Sequence, residues 1–455
     1  MPVQLLTIAR NTFVESIRQP VYFVILLLAG LLMVFTAWGT NFSMEYTDAA
    51  GMTGDDKLLL DVGLGTVFVC GMLLAAFVAT AVLSREIENK TVLTVVSKPI
   101  SRPAVILGKY LGVSVAIVIA VVIMLAMLML AVRHGVLSNA SDTLDQPVIV
   151  FSGIAVGLSL IVGGWCNFYY GWHFAQTATL TLLPSILAAF VGVAFTNAEW
   201  QVQHPLTDVR IEVLIACYCL TLAILVLTAV ATAVSTRLGQ VMTIFICAAV
   251  FVFGLLNNHF FGRHAYENSW IGTVATSQPR VEGIWSFSEP GDQYRITLVR
   301  PPTEVTLQPG TSIYFGPYPS GTGLLVPPFP AFEGDVEDTI PLNATDEPGR
   351  VVVASHATDD GQEFFIEITG TTPISVERPP RIDDYIFTKP TKAPPIPQAL
   401  WGRTPNMQFF WLLDAVSQNR YIPMSHAGMV TVYAFMQIGA MLSIAIVLFQ
   451  KRDVG

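Results

Sequence analysis

Apolar residues along most of this chain occur in long unbroken runs divided by short polar links. The pattern is neither the stripe of a surface helix nor the alternation of a half-buried strand. Eight runs approach or exceed the roughly 20 residues that a helix needs to cross about 30 Å of hydrocarbon. They are Val21–Trp38, Val62–Leu83, Tyr110–Val132, Val148–Cys166, Phe174–Phe195, Val213–Val234, a shorter core at Val241–Leu256 that can extend to Phe261, and Met429–Phe449. None holds Asp, Glu, Lys or Arg. The reading is a polytopic α-helical membrane protein with about eight transmembrane helices. Pro184 in the fifth run reads as a kink, which membrane helices tolerate. The link from Asn167 to His173 is aromatic and carries no Lys or Arg to orient it, so the runs on either side read as two full crossings or as a re-entrant pair.

Two stretches break the pattern. Residues 1–20 form an amphipathic helix: at 100° per residue Leu6, Ala9, Phe13 and Ile17 fall on one side and Thr7, Asn11, Glu15 and Arg18 on the other, with Pro20 as the stop. Such a segment suits the cytoplasmic membrane interface. It lacks the apolar core of a cleavable leader. Residues 262–425 hold 11 basic and 19 acidic residues, many prolines, and short apolar or alternating stretches such as Tyr294–Val299, Val351–Ala354 and Glu363–Ile368. Those are strand signals bounded by turn residues, and they predict an inserted extracytoplasmic β-rich domain over 262–405, a sandwich or small barrel. A proline-rich tether, Pro379 to Pro405, then leads to an interfacial helix within 406–425, carrying Phe409, Phe410, Trp411, Leu412 and Leu413, before the last span and tail at 426–455.

Composition narrows the function. Hydrophobic residues make up 53% and charged residues 13% of the 455, far from an ordinary cytosolic enzyme. A net charge of −9 with scarce Lys and Arg speaks against nucleic acid as a partner. The five cysteines all lie in apolar stretches and read as small buried hydrophobes, with neither a disulfide framework nor zinc spacing. Basic residues mark one side of the membrane: Arg10, Arg18, Arg85, Lys90, Lys98, Arg102, Lys109, Arg237, Lys451 and Arg452. By the positive-inside rule that side is the cytoplasm, both termini lie there, and the crossings are even in number. The expected location is the inner, plasma membrane.

Catalytic chemistry finds little support. No phosphate-binding loop exists, since Gly108-Lys109 is followed by Tyr110, and no nucleophile elbow or HExxH is present. His259, His264 and His426 sit near predicted outer boundaries without metal-ligand spacing, and Asp359-Asp360 and Asp383-Asp384 read as solvated loops. No catalytic residue, cofactor or metal site is expected. The spans also lack the buried ionisable groups that ion-coupled transporters commonly use. If the protein moves something, the energy comes from a partner.

Cytoplasmic charge concentrates in the loop 84–109. The run Arg85-Glu86-x-Glu88-x-x-Thr91, then Ser97-Lys98-Pro99-Ile100-Ser101-Arg102 and Gly108-Lys109-Tyr110, resembles the cytoplasmic loop of ABC-2 type permeases, the membrane subunits of ATP-binding-cassette exporters. The start, Ile8 to Phe13 with Ser16 to Pro20, is similar to that family's elbow helix, and Ser235 to Gln240 and Leu448 to Asp453 are similar to it at matching places. The resemblance covers the membrane part, about 290 residues, and not 262–425. It implies a dimer of permease subunits, identical or not, on two separate ATPase subunits that bind the ATP. It also implies that Arg85, Glu86, Glu88, Lys98, Arg102 and Lys109 make the ATPase-coupling contacts. The family core has six spans, so Val148–Phe195 is an added pair. The expected function is therefore the permease subunit of an exporter with an unidentified substrate. A second reading, a membrane-anchored extracytoplasmic binding or assembly protein without transport, stays open. Gly108/Gly112 and Gly153/Gly157 are G-x-x-x-G pairs of the kind that lets helices approach closely.

Overall fold

A computed structural model describes residues 2–39, 54–88, 101–136, 144–205, 211–280, 287, 291–301, 307–317, 350–358, 361–369, 379–412, 416, 422 and 424–450. The chain divides into two compact units, residues 1–254 with 407–455, and residues 255–406.

The first unit is helical. An amphipathic α1 (Pro2–Ile17) is followed by α2 (Pro20–Gly39), α3 (Gly54–Glu88), α4 (Arg102–His134), α5 (Gln146–Tyr170), α6 (Phe174–Ala194), α7 (Ile211–Ser235), α8 (Gln240–Leu255) and, after the second unit, a last helix Met424–Gln450. Seven of these are long and apolar enough to cross a membrane, and an eighth span arises if α8 is counted together with the helical turns Asn258–Ala265 beyond a short break. The molecule is thus a multi-pass membrane protein, as the runs predicted.

Side-chain ties sort the helix ends into two groups. At one end Arg18 Nε donates to Gln176 Oε1 of α6 (2.7 Å), Arg102 Nη1 to the carbonyl of Gln450 (2.9 Å) and Arg237 Nη2 to that of Leu448 (2.9 Å). At the other end Arg133 pairs with Asp145 (3.4 Å) and reaches the Thr196 carbonyl (3.4 Å), while Tyr218 OH meets Thr431 Oγ1 (2.9 Å). The start of α6 therefore lies beside the α1–α2 junction, and its end lies beside the end of α4. Together, α5 and α6 form a full-length antiparallel hairpin, not a re-entrant pair. Their contacts confirm the direction, since Ser159 Oγ donates to Ala178 O (2.7 Å) and Ser185 Oγ to Ala155 O (3.2 Å). The hairpin turns at Gly171, whose φ of +66° belongs to the left-handed region that closes a helix. The exposed Trp165, Phe168, Tyr169, Tyr170 and Trp172 around that turn take the place of basic residues as interfacial anchors.

The second unit is built on six antiparallel strands: β1 (Trp270–Pro279), β2 (Gln293–Leu298), β3 (Tyr314–Gly316), β4 (Arg350–His356), β5 (Glu363–Thr369) and β6 (Tyr385–Phe387), in the order β3-β6-β1-β2-β5-β4. Both edges are joined. Ser312, just before β3, bridges Val352 of β4, and Ile313 N donates to Val351 O (2.8 Å) while Val353 N donates to Thr311 O (2.9 Å). The sheet therefore closes into a small barrel, which removes the exposed edges of an open sheet. Register irregularities at Val274/Thr276 and Val353/Ser355 supply the bends that closure needs. Inside, Tyr294, Ile296 and Leu298 of β2 face Phe364, Ile366 and Ile368 of β5, with Phe287, Leu307 and Ile313 completing the core. Outside, Arg295 pairs with Glu363, and Gln293 Nε2 donates to Glu367 Oε2 (2.6 Å). This is the period-two alternation that the sequence displayed.

The stretch read as a proline-rich tether is part of this unit. It contributes β6 and α9 (Pro395–Arg403), whose prolines at 394 and 395 occupy the start of the helix, where no backbone N–H is required. The chain's passage into and out of the unit is held by a polar clasp. Asn258 Oδ1 accepts from Trp401 Nε1 and from Asn406 Nδ2 (both 2.7 Å), and Thr404 Oγ1 donates to Asn257 Oδ1 (2.7 Å).

Candidate functional site

The loop that carried the sequence reading joins α3 to α4, and residues 89–100 lie outside the described residues. Arg85, Glu86 and Glu88 fall in the last turns of α3, but their side chains are likewise outside the described set, as is Lys98. Arg102 is the first residue of α4 and reaches the last helical carbonyl of Met424–Gln450. A guanidinium beside a helix C-terminus faces the negative end of the helix dipole. Arg237 does the same two residues earlier, so two loops of this end grip the final helix together.

Lys109 is placed differently from a surface contact. It is 5% exposed, and its Nζ donates to the carbonyl of Val82 on α3 (3.0 Å). Burying an ammonium is costly unless it is hydrogen-bonded, and here that bond ties together the two helices that flank the loop. The bond couples α4 to α3 at this end.

Sequence reasoning missed how α1 is seated. Gly108 and Gly112 are the places where α1 lies against α4. A Cβ at Gly112 would stand 2.4 Å from the Ala9 carbonyl oxygen and 2.6 Å from Thr12 Cβ, and one at Gly108 would stand 2.8 Å from Ile8 Cγ2. The packed face of α1 therefore runs through Ile8, Ala9, Thr12 and Ser16, roughly a quarter turn from the apolar stripe through Leu6 and Phe13. Leu6 is 68% exposed. The reason is steric: the two glycines let the α1 backbone approach α4 at Ile8, Ala9 and Thr12, which turns Leu6 outward, while Ile17 of the predicted stripe is still buried. The i, i+4 glycine spacing was the available signal, but it did not name its partner. Two further ties join α4 to other helices, with Tyr22 OH of α2 donating to Ala116 O (2.6 Å) and Tyr110 OH to Leu225 O of α7 (3.4 Å).

At the opposite end, Asp145 caps α5 by accepting from Val148 N (3.2 Å) while it pairs with Arg133. Residues 407–412 do not lie apart from the helices. Met407–Phe409 is one 3-10 turn, Phe410 is buried, and the Trp411 ring packs edge-on to Phe68 (5.6 Å) and against Phe251 (6.0 Å). Cys70, Cys217, Cys219 and Cys247 are buried and all five cysteines are free thiols. Among the described residues no group of three or more His, Cys, Asp or Glu is placed to hold a metal ion.

No curated protein and no solved structure matches the chain. Residues 6–166, from α1 to the last turns of α5, match the model of a family described as ABC-2 family transporter protein, and with the apolar helices this supports a multi-pass membrane permease of the ABC-2 type.

Proposed function

We propose that this protein is the membrane subunit of an exporter powered by a separate ATPase, with its α3–α4 loop as the element that receives the partner's motion. The observation that carries this reading is the clamp at the root of that loop. Lys109 on α4 holds Val82 on α3, and Arg102 on α4 holds the end of the last helix. A push on the loop is thereby delivered to three helices at once, which is what a rigid-body switch between two access states requires. Arg85, Glu86, Glu88, Lys98 and Arg102 meet the ATPase in this scheme, whereas Lys109 acts as a positioning residue. The loop, Arg18, Arg237 and both chain ends then lie in the cytoplasm, and the barrel outside it. A second permease subunit completes the complex.

Co-purification tests the scheme. The double reversal Arg85→Glu with Glu86→Arg is expected to release an ATPase that otherwise co-purifies with the full chain and to abolish substrate-stimulated ATP hydrolysis. Undiminished binding and undiminished stimulation would remove the loop from the mechanism.

A further inference from the structure

A cavity of about 480 Å³ lies within the helical unit, inside the range of about 300–1,000 Å³ common for ligand pockets. Its walls are the stretch from Phe23 to Ala37 on α2, Met127 to His134 on α4, Val148 to Leu160 on α5, and Leu182 with Ile186 on α6. The α5–α6 hairpin thus supplies one side of it. The wall on α2 is about 21 Å long and that on α5 about 18 Å at 1.5 Å rise per residue. A space of that length accommodates an extended hydrocarbon chain lying along the helices.

The chemistry of the walls agrees with the shape. Only His134, Ser152 and Ser159 among the lining residues carry polar side chains, and both hydroxyls are spent on helix carbonyls, Ser152 on Val148 O (2.6 Å) and Ser159 on Ala178 O (2.7 Å). His134 stands at one end, next to the Arg133–Asp145 pair. The space is therefore apolar along its length and polar at a single end, the pattern that suits a hydrocarbon tail with a polar head. The rim residues Leu27, Leu31, Val34, Ile149 and Leu160 are exposed, so the cavity opens sideways between α2 and α5, toward where lipid tails lie.

We propose that this cavity is a binding site for the hydrocarbon tail of an amphiphile, held with its polar head at the His134 end. The tail comes either from a membrane phospholipid or from a free fatty acid. The inference stands apart from the ATP-driven reading, because it concerns occupancy of the permease alone.

Two glycines on α5 provide the test. A Cβ at either Gly153 or Gly157 meets nothing within 4 Å, yet only Gly153 lines the cavity. The full chain, in nanodiscs, is exposed to palmitic acid bearing a mid-chain diazirine, and separately to a phosphatidylglycerol carrying the same acyl chain. Photolabel from at least one probe is expected to concentrate on the cavity walls of α2 and α5, and the probe that labels names the source. Gly153→Trp should lower that label at least fivefold, while Gly157→Trp should leave it within twofold of the parent. Should Gly153→Trp not elute as a folded protein, Val34→Trp replaces it, since that side chain already sits at the exposed rim. Label spread evenly over all lipid-facing helices, or unchanged by a folded cavity-filling variant, would overturn the proposal.

Discussion

Adding a methyl group at Gly112 is the sharpest test of how α1 is held. A Cβ there would lie 2.4 Å from the Ala9 carbonyl oxygen and 2.6 Å from Thr12 Cβ, against a floor of 3.0 Å for real contacts. The nearer obstacle is backbone, so no rotamer relieves it and α1 must retreat by about 0.6 Å or α4 must bend. A gap of 0.5–1 Å forfeits about a quarter to a half of the dispersion energy of each contact that opens. Overpacking of this kind costs about 1–3 kcal/mol, and 2 kcal/mol is roughly a 30-fold change in a two-state equilibrium. A cysteine at Thr12, a buried position on the packed face, reports the outcome. Gly112→Ala should speed maleimide labelling of Thr12→Cys by about an order of magnitude and shorten the protein's half-life in detergent at fixed temperature. Gly65→Ala on α3, where a Cβ meets nothing within 4 Å, should do neither. If both variants labelled at the parental rate, the seat of α1 on the two glycines would be refuted.

Replacing the ammonium in Lys109→Met should cost about 1–2 kcal/mol and weaken substrate-stimulated ATP hydrolysis while leaving co-purification of the ATPase intact, because the residue is buried behind the loop; loss of co-purification would contradict the positioning role. Truncating the fully buried Asn406 to Ala should cost about 1–3 kcal/mol and accelerate amide hydrogen exchange over 255–266 and 395–406, where the clasp joins the chain's two passages. In the barrel, burial raises the carboxyl pKa of Glu367, with Gln293 partly opposing, so its ionised form is the costly one. Its penalty is full above the folded pKa and fades as pH falls toward the ordinary carboxylate value. Glu367→Gln should therefore slow exchange in β5 at pH 7 and change little near pH 4. Glu363 behaves oppositely: its hydrogen bond from Arg295 lowers the pKa, so the pair stabilises at neutral pH and is lost as pH falls through the depressed value.

Much of this architecture is legible along the chain because the bilayer asks one question of each segment. A stretch such as Tyr110–Val132, apolar for its whole length, can only be buried or span a membrane, and composition alone answers. The strands at 293–298 and 363–369 announce themselves by alternation, since each barrel wall faces core on one side and water on the other. The aromatic link at 167–173 was ambiguous for want of a charge, and Arg18 on Gln176 resolved it, a contact between residues 158 positions apart.

Sequence by itself thus determined which segments enter the bilayer and where an inserted β unit interrupts them. Tertiary structure alone decided that Lys109 is a buried tie, that Gly108 and Gly112 seat α1, that the segment leading into β3 pairs with β4 to close a barrel, and that α5 and α6 leave an apolar space beside α2. The physical reason is that partition into lipid depends on the composition of one segment, whereas each of these four depends on which atoms of a distant segment come within a few ångström.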